Sequence, residues 1–146
     1  PFLTTEGGVN SGYMIVQYSA ASMVSENKVL AHPASVDSIP SSANQEDMVS
    51  MGTTAARKSG WIVQNTLSVL ADELLTACQA IDIRRRLNTH GQGISPVHQK
   101  VFDRVRKDIA FYETDRELWQ DIQAAEKLVR SGELLEIVHE TVADFE

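Results

Sequence analysis

The chain has 146 residues, 42% of them apolar, which is enough for one ordinary core and argues against disorder. Thirteen basic residues against twenty acidic give a formal charge of −7, which opposes a general polyanion-binding role, so nucleic acid is not an expected partner. No apolar run reaches membrane-spanning length and no secretory leader pattern is visible, so no membrane association and a cytoplasmic location are expected.

Aromatic residues are scarce, and alanine, leucine and valine fill much of the apolar share, a vocabulary that favours helices. Pro1 stands where an initiator Met would, in a segment running into EGGVNSG, so the chain is expected to be a piece of a larger one. Residues 1–11 read as a loop, with Asn10 or Ser11 able to cap a helix starting just after them. From Gly12 to Leu30, Tyr13, Val16, Ala20, Met23, Val24 and Asn27 recur at spacings near three and four, predicting a first helix over 12–30. Pro33 and Pro40 then remove backbone donors, so 31–42 is an irregular connector, a place where function concentrates.

A second helix is predicted over 43–84. Ser42-Ala43-Asn44-Gln45 fits a capping box, and Glu46 and Asp47 would lie in a first turn where negative charge is favoured. Leu67, Leu70, Leu74, Cys78 and Ile81 form a one-face stripe, with Cys78, the single cysteine, expected as a small buried residue; Gly52 and Gly60 are possible break points. An unbroken helix of that length would span about 60 Å at about 1.5 Å per residue, far beyond a domain with a radius of gyration of about 15 Å. Its excess length calls for partners.

Arg84-Arg85-Arg86 complements the carbonyl end of that helix better than it forms a nucleic-acid footprint. After a loop over Asn88–Ser95, Ser95-Pro96 caps a helix predicted over 97–112 on the stripe Val97, Val101, Val105, Ile109 and Tyr112. Thr114-Asp115-Arg116-Glu117 is a second capping-box candidate, opening a helix over 114–130, and a short helix over 132–139 precedes an acidic tail. The chain is all-α by pattern.

For chemistry, His32, Asp37, Glu46 and Asp47 could be weighed as metal ligands, but no metal-binding spacing is present and no metal is expected. His90 and His98 flank a loop and a helix start, and the serines at 35, 38, 41 and 42 lack a nucleophile-elbow context. Gln45 and Glu46 can be read equally as a cap with a dipole-matching charge, or as a carboxylate and amide able to orient a cation or move a proton. Asn44 is likewise ambiguous.

The run SGYMIVQYSAASMVSENKVLAHPASVDSIPSSANQEDMVSMG, densest at Ser25–Lys28, His32–Ser38 and Ser42–Gly52, resembles the C-terminal part of the histidine ammonia-lyases, within the aromatic amino-acid ammonia-lyase family. The resemblance extends more loosely over most of the chain. It implies a long-helix bundle fragment of the ammonia-lyase fold, in a homotetramer whose active sites combine several subunits. It also implies non-oxidative deamination of L-histidine to urocanate and ammonia, by an electrophilic methylidene-imidazolone (MIO) group that forms from Ala-Ser-Gly.

No Ala-Ser-Gly occurs in this sequence, so the fragment alone is expected to be inactive and its contribution to be one active-site wall. By the resemblance, Glu46 contacts the substrate imidazole or amine and handles a proton, Gln45 lies beside it, and Asn44 and Asp47 support them. Lys28 and His32 are further candidates, expected to pair with the acidic helix start at Glu46 and Asp47. Met48 departs from the histidine that many of these lyases carry there. The alternatives are a non-catalytic helical oligomerisation module, for which the NQED segment at Asn44–Asp47 is only a cap, and a lyase of the same family acting on another aromatic amino acid.

Overall fold

A computed structural model describes residues 2–87 and 93–142. The described residues are all-α: five helices with no β-sheet, α1 (Met14–Leu30), α2 (Gly52–Arg86), α3 (Pro96–Asp108), α4 (Trp119–Ser131) and α5 (Glu133–Thr141). Two short 3-10 turns, Ala34–Asp37 and Ser42–Asn44, lie in the connector between α1 and α2. None of the described helices is long and apolar enough to cross a membrane. The greater part of the loop expected over Asn88–Ser95, with His90, and the end of the acidic tail fall outside the described residues.

The chain divides into two units, residues 1–20 with 67–146, and residues 21–66. The first holds the core: Tyr13, Val16, Ala71, Leu75, Cys78, Phe102, Val105, Ile109, Tyr112, Ala125 and Leu128. Three of its helices, α3, α4 and α5, pack on one another. The face that α2 buries is rotated from the expected stripe. Ala71, Leu75, Cys78 and Gln79 are inside, Leu74 and Ile81 pack at the edge, and Leu70 is 44% exposed. Leucines at helical spacing mark an apolar face, but the small residues Ala71 and Cys78 are what allow close approach here.

Gln79 takes the place of a backbone partner inside this core. Its Nε2 donates to the carbonyls of Leu3 (3.1 Å) and Tyr112 (2.7 Å), and its Oε1 accepts from the Tyr112 amide at 3.1 Å. That contact explains why α3 ends at Asp108, before the expected boundary at 112. Ile109 turns extended (φ −124°, ψ 111°), and the Tyr112 backbone bonds to a side chain instead of a helical turn. At the other end of α3, the Ser95 side chain accepts from the His98 amide, with Pro96 in the first turn.

The second capping-box candidate is not used as one. Residues 114–118 are not helical, and α4 starts at Trp119 without a side-chain cap. Asp115 instead accepts from the backbone amides of Ser11 (2.7 Å) and Gly12 (3.0 Å), while Asn10 Oδ1 accepts from the Asp115 amide at 3.0 Å. These bonds tie the N-terminal loop to the segment between α3 and α4. Only glycine fits at position 12: its φ is +57° and an added Cβ would sit 2.3 Å from the Phe2 carbonyl oxygen.

The second unit comprises the C-terminal half of α1, the connector and the first part of α2. Asn65 joins its two helices by donating from Nδ2 to Glu26 Oε2 (2.7 Å) and Asn27 Oδ1 (3.0 Å). None of residues 21–66 is buried, and Val24, Val29, Ile39, Met48, Trp61 and Val63 stay largely open.

Helix α2 begins at Gly52, nine residues after the expected start at 43, and ends at Arg86. The expected weak point at Gly60 does not interrupt it. An interior glycine costs a helix only about 1 kcal/mol relative to alanine, too little to break 35 residues of cooperative hydrogen bonding. The delayed start has a backbone cause: Met51 is left-handed (φ 53°), so the helix does not propagate upstream through it.

Candidate active-site wall

The segment between α1 and α2 forms an exposed, internally bonded loop. At its centre the Ser41 amide donates to the Glu46 carbonyl at 2.8 Å, and the Glu46 amide donates to the Ser41 carbonyl at 3.3 Å. The Gln45 amide donates to the Ser42 carbonyl at 3.2 Å inside the loop so closed. Ser42, Ala43 and Asn44 adopt φ of 51°, 56° and 66°, three successive non-glycine residues in the left-handed region. Each such residue costs about 1–2 kcal/mol for an L-amino acid, so surrounding bonds must hold the turn together. Ser38 contributes from the connector by accepting from the Val49 amide at 2.7 Å.

This geometry corrects the reading of Ser42–Gln45 as a helix cap. The Ser42 side chain caps nothing; its backbone carbonyl closes a left-handed 3-10 turn, and Glu46 and Asp47 precede α2 instead of lying in its first turn. The turn brings Asn44, Gln45, Glu46 and Asp47 together on one loop with their side chains exposed.

Lys28 and His32 belong to the same unit but do not pair with these acids. Lys28 lies in the last turn of α1, where its charge complements the carbonyl end of the helix. His32 Nε2 stands 3.6 Å from Asp37 Oδ2, and its backbone carbonyl accepts from Lys58 Nζ. Lys58, which sequence reasoning passed over, thereby ties the start of the connector to α2. Its i,i+3 neighbour Trp61 carries the Arg57 guanidinium 5.4 Å from its ring centroid. No ion pair joins Glu46 to another described residue. Among the described residues no group of three or more His, Cys, Asp or Glu is placed to hold a metal ion.

The parts of the loop define its chemistry. A free carboxylate on a backbone-locked turn, flanked by two amides, is placed to accept a hydrogen bond from a cationic or N–H-bearing ligand, or to take up a proton. The serine hydroxyls of the same loop have no basic side chain bonded to them among the described residues, so covalent chemistry would need groups from elsewhere.

A family model described as aromatic amino acid lyase matches residues 1–107. The chain is 53% identical over 145 residues to histidine ammonia-lyase 1 of Fusobacterium nucleatum subsp. nucleatum, covering 99% of this chain and 27% of that protein. Its structure is similar to the crystal structure of histidine ammonia-lyase from Trypanosoma cruzi, with a TM-score of 0.86, 44% identity, and coverage of 98% of this chain and 27% of the other. It is also similar to tyrosine aminomutase from Streptomyces globisporus, with a TM-score of 0.85, 33% identity, and coverage of 99% and 27%. The chain therefore spans about a quarter of the length of these relatives. A match over residues 1–107, most of the chain, makes it a member of the aromatic amino acid lyase family.

Proposed function

We propose that this chain is the C-terminal portion of a longer protein that deaminates L-histidine to urocanate and ammonia, and that the loop over 41–51 is one wall of its active site. The observation that supports this most is the unpaired carboxylate of Glu46, held on a turn that keeps three residues left-handed. Strain of that kind persists where a fixed side-chain position is useful. The relatives named for histidine as substrate, at up to 54% identity, supply the substrate class.

In the elimination, a β hydrogen of the substrate leaves as a proton, the Cα–N bond breaks, a Cα–Cβ double bond forms and ammonia departs. Glu46 is assigned the contact to the imidazole ring or amine and the handling of a proton, with Gln45 as the adjacent amide and Asn44 and Asp47 as supports. A carboxylate pairs well with the N–H groups of an imidazole and poorly with a phenyl ring, because burying it unpaired is expensive. That favours histidine over tyrosine or phenylalanine.

The electrophilic MIO group of the family is not formed by these residues. Ser-Gly occurs at Ser11-Gly12, Ser59-Gly60 and Ser131-Gly132, never after alanine. Ser59-Gly60 is interior to α2, and the Gly12 amide is committed to Asp115. The electrophile is assigned to another part of the parent protein, and this chain alone is expected to be inactive.

The open apolar side chains of residues 21–66 support assembly with the rest of the parent and with further subunits, a homotetramer in this reading. They are also the observation behind a second reading, a non-catalytic association module. The test is turnover by the complete protein: urocanate absorbance with L-histidine, lowered about 100-fold by Glu46→Gln, is expected. Full activity in that variant removes the role of Glu46, and product from L-tyrosine or L-phenylalanine but not from L-histidine changes the substrate.

A further inference from the structure

In the first unit, α1 and α2 and the N-terminal loop line a cavity of about 480 Å³ that the proposed chemistry does not use. Leu3, Val16, Ala20 and Val69 give it apolar walls, and Tyr13 and Asp72 stand at its lining with their side-chain oxygens buried. Asp72 is only 3% exposed, and neither of its carboxylate oxygens has a hydrogen-bond partner among the described residues. The Tyr13 hydroxyl is also buried and unpartnered.

The charge that acts on Asp72 is acidic, whereas Arg106 and Arg116 act on Tyr13. Glu73 lines the same cavity, and Glu126, on α4, acts on Asp72 through its charge while accepting from Ser68 Oγ. Burial first, and then Glu126, push the Asp72 carboxyl up to about 6, and burial pushes the Tyr13 hydroxyl up to about 12, so the tyrosine stays neutral. At neutral pH an ionised carboxylate therefore sits desolvated with no cation beside it, an arrangement proteins avoid unless a counter-charge arrives.

We propose that this groove receives an arginine or lysine side chain, carried by an apolar segment of the parent polypeptide outside this chain, which pairs with Asp72. The inference rests on the reading that the chain is part of a longer protein, consistent with its matching 27% of the relatives' length. Charge complementarity selects the occupant. The walls suit the methylene stem of a long basic side chain, the two Asp72 oxygens accept a forked or ammonium donor, and the Tyr13 oxygen accepts a further N–H. A metal ion fits less well, since the described residues place no group of three ligating side chains together.

Two measurements on the complete protein test this. In its experimental structure, an arginine or lysine nitrogen from outside this chain is expected within about 4 Å of the Asp72 carboxylate. Water, apolar atoms or a free ion there would overturn the proposal. In thermal unfolding, Asp72→Asn is expected to lower the midpoint by about 5 °C at both pH 5 and pH 8, because a paired carboxylate is ionised at both. An unpaired carboxylate would instead give a raised midpoint, more so at pH 8 than at pH 5, the opposite result. Should the variant not fold, the wild-type structure still decides. An inactive parent with the cation in place would refute only the lyase reading, and an active parent with an empty groove only this one.

Discussion

Glu46, Asp115 and Gln79 show how differently single side chains are used here. Glu46 stands free on a strained turn, whereas Asp115 is spent on structure. The amides of Ser11 and Gly12 hold the Asp115 carboxyl below the usual carboxylate range. A group whose folded value is depressed adds stability above its unfolded value, about 3.9 for aspartate, and loses that contribution as pH falls through the folded value. Asp115→Asn is thus expected to lower the unfolding midpoint at pH 7, with the gap to wild type closing below about pH 4 in a pH series of melts. Gln79→Leu leaves the Tyr112 amide and carbonyl without their buried partner and should cost about 3 kcal/mol in denaturant titration of the complete protein. Neither role was legible in the sequence. Asp115 fits a capping pattern, and a glutamine within a helix carries no signal that it will bond to a distant backbone. Glu46 stood out through family resemblance, since the residues alone allowed a cap equally well. The turn that holds it was hidden because left-handed backbone is announced by glycine, and Ser42 and Ala43 give no such warning.

The helices were more readable than their ends. Stripes at spacings of three and four lie within α1 to α4, although α1 buries only Val16 and α2 buries a face rotated from its stripe. Boundaries at 43, 112 and 114 failed where local patterns lost to other bonds: the local Ser41–Glu46 pairing, and the longer-range Gln79–Tyr112 contact and Asp115 tie. Gly60 provides a test of α2. It lies in the helix interior with open space where a Cβ would go, so within this chain alanine should add about 1 kcal/mol of stability. A loss of stability on Gly60→Ala in the complete protein, measured by chemical unfolding, would show that another helix packs against that position.

The two units divide the work of the chain. Residues of the first bury a conventional core, while residues 21–66 carry the candidate active-site loop and bury nothing on their own. A sequence of alternating apolar positions cannot say whether they will be covered by the same chain or by another, which is why α2, about 50 Å long at 35 residues, was readable as a helix needing partners but not as one with a core at only one end. In the proposed parent, partners cover residues 21–66 and set Glu46 opposite the electrophile. The decisive measurement is urocanate formation from L-histidine by the complete protein, wild type beside Glu46→Gln at equal oligomeric state. Turnover by the wild type and a loss of about 100-fold in the variant are predicted; equal rates for the two, or no urocanate from correctly assembled wild type, would contradict the assignment.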